Sequence, residues 1–174
     1  TGTNGKTTTT HFLEKIFEED GKPCGVLGTI DHHLGIKVWT TALTTPGPIE
    51  LQHRLGEFVR EGAKAVAMEV SSHAIEQGLV NSVHFDAAVF TNATRDHLDY
   101  HGTMESYYLA KRKLFTDVLG ISNKPKRVSV VNVDADFGQR LAKEISGRVV
   151  TFGAGKADVS YQISSEGYSG TSFL

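Results

Sequence analysis

The sequence opens with a glycine-bounded loop that ends in Gly-Lys-Thr, a pattern that binds the phosphates of a nucleoside triphosphate. Flexible glycines let successive backbone N–H groups point at phosphate, the lysine brings positive charge to the β and γ oxygens, and the threonine hydroxyl is a ligand for Mg²⁺. Apolar residues at helical spacing follow, so the loop also leads into a helix N-terminus. A Gly/Thr-rich turn capping an ordinary helix is the alternative. The predicted nucleotide ligands are Gly2, Thr3, Asn4, Gly5, Lys6, Thr7 and Thr8.

A second candidate is Glu69, the one polar residue in the otherwise apolar run at residues 65–70, which leads directly into Ser71, Ser72 and His73. In an open parallel sheet, ligands bind beyond the carboxyl ends of the strands. A carboxylate at that position can hold Mg²⁺ directly or through water. The alternative is a solvated glutamate at a strand end.

The third candidate is the segment 95–102, which holds an arginine, two aspartates and two histidines. This density favours a site over a solvated turn, and His97 or His101 could ligate a metal or meet a phosphate. A metal-dependent hydrolase built on His97, Asp99 and His101 would be a different class of enzyme. It would have no use for the Lys6 loop.

The fourth candidate is Lys111, which shares a helical stripe with Met104, Tyr107 and Leu114. Its ammonium could reach past apolar neighbours to water. Alternatively, burial could favour the neutral amine, which can take up carbon dioxide as a carbamate and so become a metal ligand. Periodicity does not choose between these two interpretations.

The elements that must position these residues alternate along the chain. Strands are predicted at residues 25–30, 65–70, 85–90, 128–133 and 148–152, and helices at 7–20, 49–61, 103–119 and 134–145. This alternation predicts an α/β fold whose mainly parallel sheet is flanked by helices on both faces. Residues 31–40 are expected to form a small peripheral hairpin or excursion rather than a core strand, and residues 157–174 the start of an antiparallel element.

The composition is that of one soluble globular domain of 174 residues. The net charge is −2 and there is no long Lys/Arg run, so the charge pattern does not indicate binding to nucleic acid or to an anionic membrane. The sequence has no run of about 18 apolar residues, and Cys24 has no intrachain disulfide partner. We therefore expect a reducing, cytoplasmic location. Because a phosphate-binding loop normally follows a buried strand, the chain is expected to be truncated at its start, and also at its end.

Several segments together resemble the Mur ligase family. The similarity lies in the ATP loop at residues 1–9, the substrate loop at 44–52, the segment 69–74, and the stretch from 90 through 105 with Ala110 and Lys111. Folylpolyglutamate and cyanophycin synthetases share the ATP loop, but the stretch from Asp96 to Lys111 is more specific. The resemblance covers residues 1 to about 153.

The resemblance implies a P-loop NTPase-like central domain, flanked in the complete enzyme by a UDP-binding and an amino-acid-binding domain. Such an enzyme uses ATP and Mg²⁺ to phosphorylate the D-glutamate carboxylate of UDP-N-acetylmuramoyl-L-alanyl-D-glutamate, and a diamino acid then attacks the acyl phosphate. This step belongs to peptidoglycan synthesis, and hence to cell shape and division. The small-molecule substrates are the implied partners, without an obligate protein partner. The alternative is another amide ligase of the superfamily.

By the same resemblance, Thr7 and Glu69 serve the first Mg²⁺, and His97 with a carbamylated Lys111 serves the second. Lys6, His97 and Lys111 are the implied catalytic residues, and Asn92 is added to the nucleotide ligands. The implied substrate contacts are Thr44, Thr45, Ser71 and Gln77.

One position departs from the family pattern, since many relatives carry arginine where this chain has Leu79. The missing guanidinium would remove a contact of about 1.5–3 kcal/mol to a substrate carboxylate or phosphate. The choice between meso-diaminopimelate and L-lysine stays open. An isolated central domain is expected to bind nucleotide without full turnover, because closure of three domains would bring the reactants together.

Overall fold

The computed structural model describes residues 1–167 and 170–174. The chain divides into two compact units, unit 1 at Thr1–Ser82 and unit 2 at Val83–Leu174. Each candidate site is therefore described within its own unit.

Unit 1 is a four-stranded mixed sheet with three helices. The helices are α1 (Lys6–Glu19), α2 (Pro48–Arg60) and α3 (Ser72–Glu76), and the strands are β1 (Cys24–Leu27), β2 (His32–Leu34), β3 (Lys37–Trp39) and β4 (Ala65–Met68). The strand order is β3-β2-β1-β4, in which β1 and β4 are parallel and the other pairs antiparallel. Because Leu27 is in register with Met68, Gly28 and Glu69 leave the sheet at the same edge.

The helices of unit 1 begin where local sequence favours it. The first follows Gly5, which has φ of 82°, a value that glycine adopts without a Cβ penalty. The second begins with Pro48 at its first position, where no backbone N–H is needed. Phe58 of α2 is fully buried and lies where a Cβ on Gly25 would overlap its ring, so a glycine in β1 lets this helix pack closely.

Unit 2 is built on a parallel sheet. Its strands are β5 (Ala87–Phe90), β6 (Val128–Asn132), β7 (Val149–Gly153) and β8 (Val159–Ser160), all paired parallel in sequence order. Its helices are α4 (Leu98–His101), α5 (Met104–Lys113), which continues as a π-helical turn at Leu114–Val118, and α6 (Asp136–Glu144). A separate antiparallel ribbon joins β9 (Ile163–Gly167) and β10 (Gly170–Phe173).

The α/β class and the prevalence of parallel pairing confirm the sequence prediction, although the described strands form two four-stranded sheets and a ribbon. Residues 31–40 do form a hairpin, but its first strand is buried rather than peripheral. The tail contains the expected antiparallel pair, within the described residues. The described residues contain no helix that combines the length and apolar character needed to cross a membrane.

Candidate functional site

The glycine-rich loop lies at the N-terminus of α1, as predicted. Gly5 precedes the helix with a positive φ, and Gly2 has φ of 156°. The ammonium of Lys6 donates hydrogen bonds to the carbonyl oxygens of Gly2 and Thr3 at 2.9 and 3.0 Å. The lysine thus folds over its own loop, close to the backbone that the sequence assigns to phosphate.

Thr7 and Glu69, predicted to share a magnesium ion, are in direct contact. The Thr7 hydroxyl donates to Glu69 Oε1 at 2.9 Å, across 62 positions of sequence. Glu69 follows β4 and is only 2% exposed. A hydroxyl and a buried carboxylate are oxygen ligands of the type that Mg²⁺ prefers, so the residues present fit that ion.

Thr29 completes the surroundings of this carboxylate, and the sequence analysis missed it. Its backbone N–H donates to Glu69 Oε1 at 3.0 Å, and its hydroxyl donates to Oε2 at 3.0 Å. Gly28 allows this approach, because a Cβ at that position would lie 2.6 Å from Glu69 Oε1. The signal that could have found Thr29 is the Gly-Thr pair directly after a strand parallel to the one that Glu69 follows.

The predicted substrate residues Thr44, Thr45 and Ser71 are linked to Thr29 or to the backbone of Glu69 by a chain of hydrogen bonds. The hydroxyl oxygens of Thr29 and Thr44 lie 3.1 Å apart, within hydrogen-bond distance. The buried Thr45 hydroxyl donates to the backbone carbonyl of Glu69 at 3.0 Å and accepts from the Ser71 amide at 3.1 Å. We call this set the hydroxyl cluster, and its members are Thr7, Thr29, Thr44, Thr45, Glu69 and Ser71.

The remaining predicted substrate residue, Gln77, lies at the other end of α3. The Ser71 hydroxyl caps the start of this helix by accepting from the Ala74 amide at 3.1 Å, and Gln77 is the exposed residue at its C-terminal cap. The Leu79 amide donates to the Ala74 carbonyl at 2.9 Å, which fixes the backbone just after α3.

In unit 2, His97 stands out by its backbone. Among the described residues it is the only non-glycine residue with positive φ, at 52°, and it caps α4. Such conformations are uncommon for residues with a Cβ and concentrate at functional sites. The backbone N–H of His97 donates to Asp96 Oδ1 at 2.9 Å, and its ring Nε2 lies 3.4 Å from Asp96 Oδ2.

Tyr107 is the residue that brings the candidates of unit 2 together. Its fully buried ring lies 6.1 Å from the His97 ring and 5.1 Å from the His101 ring, between centroids. The Lys111 ammonium lies 4.2 Å from the Tyr107 centroid. Only 1% of Lys111 is exposed, so the interpretation that its ammonium reaches the surface is wrong. The predicted nucleotide ligand Asn92 is half-buried and follows β5.

A polar network holds α5, the helix that carries Lys111. Oε2 of Glu144, on α6, accepts from the Tyr108 hydroxyl at 2.8 Å and from Arg112 Nε at 2.5 Å. The other carboxylate oxygen of Glu144, Oε1, accepts from Arg140 Nε at 2.8 Å. The hydrogen bond from Arg140, with smaller contributions from those of Tyr108 and Arg112, lowers the pKa of Glu144 to about 2. Glu144 is therefore an anion that fixes α5 against α6 at neutral pH.

Comparison with known proteins places this geometry in a family. The whole chain, residues 1–174, matches the Mur ligase middle domain. It is 51% identical over 154 residues to a UDP-N-acetylmuramoyl-L-alanyl-D-glutamate–2,6-diaminopimelate ligase of Geobacter sulfurreducens. That alignment covers 88% of this chain and 30% of the relative. A ligase of the same name from Aquifex aeolicus is 46% identical over 153 residues, with 88% and 30% coverage.

Solved structures agree with these relatives. The structure of a UDP-N-acetylmuramoyl-L-alanyl-D-glutamate–2,6-diaminopimelate ligase superimposes with a TM-score of 0.82 and 30% identity, over 99% of this chain and 35% of that one. FolC of E. coli, solved with DHPP and ADP, gives a TM-score of 0.61 at 20% identity over 98% of this chain and 46% of that one, which shows a shared fold. The chain spans about 30% of the length of the curated relatives named above.

Proposed function

Because the chain belongs to the Mur ligase family, we propose that it is the ATP-binding part of an ATP-dependent ligase. The full-length enzyme adds 2,6-diaminopimelate to UDP-N-acetylmuramoyl-L-alanyl-D-glutamate in the cytoplasm, as the third residue of the peptidoglycan stem peptide. The names of relatives such as the one from Geobacter sulfurreducens support this choice of amino acid over lysine. The small-molecule substrates are its partners.

The observation that carries the proposal is the contact between Thr7 and Glu69 within the hydroxyl cluster. Thr7 joins the glycine-rich loop to the carboxylate, so a magnesium ion held there would also lie next to the phosphate-binding backbone. When bound, Mg²⁺ supplies positive charge to the phosphoryl oxygens. Lys6 adds a further charge, exchanging the carbonyls of Gly2 and Thr3 for phosphate oxygens.

The other assignments are carried by the resemblance. Backbone amides of residues 2–8 and the side chain of Asn92 bind nucleotide. Thr44, Thr45, Ser71 and Gln77 contact the muramoyl dipeptide, whose D-glutamate carboxylate becomes an acyl phosphate and then an amide. In unit 2, His97 and a carbamylated Lys111 serve a second magnesium, and the burial of Lys111 beside Tyr107 supports a lysine that acts inside the protein and not at its surface. The isolated chain binds nucleotide without full turnover.

The experiment is ATP-dependent phosphate release by the full-length enzyme with Mg²⁺ and the UDP-muramoyl dipeptide. We expect release with diaminopimelate and little with lysine. Lys111→Ala abolishes release, and acetate restores part of it, because acetate can occupy the place of the carbamate. Release with neither amino acid contradicts the proposal and directs attention to another amide ligase of the superfamily, with Leu79 as the mark of a different substrate.

A further inference from the structure

Two histidines and a glutamate of unit 1 meet at a place that the ligase chemistry does not use. His11 and Glu14 are on α1, one turn apart, and His33 is on β2. One ligand atom from each lies within 4.8 Å of the others. His33 Nε2 is 2.7 Å from Glu14 Oε1, and His11 Nδ1 is 3.3 Å from Glu14 Oε2.

These separations bracket the spacing of ligand atoms around a small tetrahedral ion. With metal–nitrogen and metal–oxygen bonds of roughly 2.0–2.2 Å, neighbouring ligand atoms of a tetrahedral zinc site lie about 3.3 Å apart. The two imidazole rings are nearly parallel, at 18° and 5.5 Å between centroids, so both present an edge to the same carboxylate. Small side-chain adjustments would bring the three ligand atoms to equal distance from one ion.

Asp31 supplies the outer contact that such sites use. Its Oδ1 lies 2.6 Å from His33 Nδ1, the nitrogen that faces away from Glu14. A metal-bound histidine commonly donates its second N–H to a carboxylate, which fixes the tautomer and the ring orientation. Asp31 would therefore hold the proton on Nδ1 and leave Nε2 for an ion.

We propose that His11, Glu14 and His33 form a site for a borderline divalent ion such as Zn²⁺. Two nitrogens and one oxygen select such an ion over Mg²⁺, which prefers oxygen ligands. The Glu14 side chain is only 5% exposed whereas that of His11 is 38% exposed, which gives an entry path from solvent and leaves room for a water as fourth ligand. The ion cross-links β2 to the helix that begins at the nucleotide loop.

The test uses full-length protein stripped of metal by a chelator and titrated with ZnCl₂ in excess Mg²⁺, with bound zinc counted by equilibrium dialysis. We expect His11→Ala to lose one equivalent of bound zinc. Asp31→Ala should weaken binding of that equivalent by about 10–100-fold, the usual effect of losing an outer contact. His53→Ala is the matched control, because its side chain is 68% exposed on α2, and it should retain every equivalent.

X-ray absorption on the zinc-loaded protein gives a second readout, in which His11→Ala should lower the imidazole count of the ligand shell while His53→Ala leaves it unchanged. Equal zinc stoichiometry and affinity in the wild type and His11→Ala overturn the proposal, as does loss of the equivalent in His53→Ala. Because His11 is partly exposed, its variant should fold. Phosphate release with Mg²⁺ is a separate measurement, so failure of the zinc site leaves the proposed ligase untouched.

Discussion

Two glutamates of unit 1 are almost equally buried, yet they lie in opposite chemical surroundings. Glu69 is 2% exposed and Glu14 is 4% exposed. The carboxylate of Glu69 accepts hydrogen bonds only from neutral donors among its described partners, the hydroxyls of Thr7 and Thr29 and a backbone amide. Glu14 instead faces the imidazoles of His11 and His33.

Burial alone therefore does not determine the role of a carboxylate. Neutral donors orient the carboxylate of Glu69 without cancelling its charge, so it keeps its attraction for a hard cation. Imidazoles can neutralise their carboxylate or join it in binding a softer ion. Burial lowers the pKa of His33, but hydrogen bonds with Asp31 and Glu14 outweigh it and leave the pKa above its usual value.

The largest expected effect comes from removing the charge of Glu69. Glu69→Gln keeps the shape, and its amide oxygen can still accept from the Thr7 hydroxyl and the Thr29 backbone N–H, but it no longer attracts Mg²⁺. Phosphate release by the full-length enzyme should fall by at least about 100-fold, the size of losing one preorganised contact to developing charge. Glu14→Gln is the matched control and should retain activity per folded molecule. Comparable losses of phosphate release in both variants would contradict the different roles given to the two glutamates.

Glu14→Gln should instead act on stability. Removing one partner of a buried ion pair costs roughly 3–5 kcal/mol. The loss here should be smaller, about 2 kcal/mol, because His33 can release its proton and keep its contact with Asp31. The measurement is urea unfolding in the presence of a chelator, so that metal does not contribute. If Glu69→Gln destabilises the protein as much as Glu14→Gln does, the imidazoles around Glu14 contribute no more to stability than the neutral donors around Glu69, and the contrast is contradicted.

Features set by residues close together in sequence were predicted correctly, whereas contacts between residues far apart in sequence were mostly missed. The phosphate loop, the inward phase of Lys111 and the four long helices follow from local spacing and composition, and each is present. The pairing of Thr7 with Glu69 as ligands of one magnesium ion is an implication of the family resemblance, and the direct contact between them is a finding of the structure. Thr29 was missed because it reaches Glu69 across 40 positions, and its role depends on the pairing of β1 with β4.

Tyr107 and His33 were missed for a related reason. Tyr107 was assigned only to an apolar stripe, because periodicity shows which residues face inward and not which rings gather the polar groups. His33 lies 19 positions from Glu14, on a hairpin expected to be peripheral. Pairs of this kind arise from tertiary packing, which a single sequence does not display.

Thr29→Val tests whether a neutral hydroxyl donor positions the Glu69 carboxylate for Mg²⁺. The substitution removes the hydroxyl contacts with Glu69 and Thr44 and leaves the backbone N–H contact with Glu69. The free energy that positions the Glu69 carboxylate should therefore fall by about 1 kcal/mol. We expect the Mg²⁺ concentration for half-maximal phosphate release to rise several-fold. Thr29→Ser keeps the hydroxyl and should behave as the wild type. An unchanged Mg²⁺ requirement in Thr29→Val would contradict the role given to this hydroxyl.

The smallest effect concerns Glu144, a carboxylate with charged donors. Its pKa lies at about 2, below the ordinary value, mainly because of Arg140. A lowered pKa stabilises the folded state above the ordinary carboxyl pKa and loses that contribution as the pH falls toward 2. Because the pairs are partly exposed, the loss should be under about 1 kcal/mol. Thermal melting from pH 7 to pH 3 should show a shallower decline in Glu144→Gln, and identical slopes would exclude the effect.

The parallel pairing of β1 with β4 also determines when the nucleotide site can exist during folding. Thr7 and Glu69 are 62 positions apart, and the chain between them includes the β2–β3 hairpin and α2. Pairing over such a distance is slow because the loop entropy is lost before any contact forms. Intermediates that lack β1–β4 pairing should bind Mg²⁺ and nucleotide poorly. Added Mg-nucleotide should then slow unfolding while leaving the refolding rate almost unchanged.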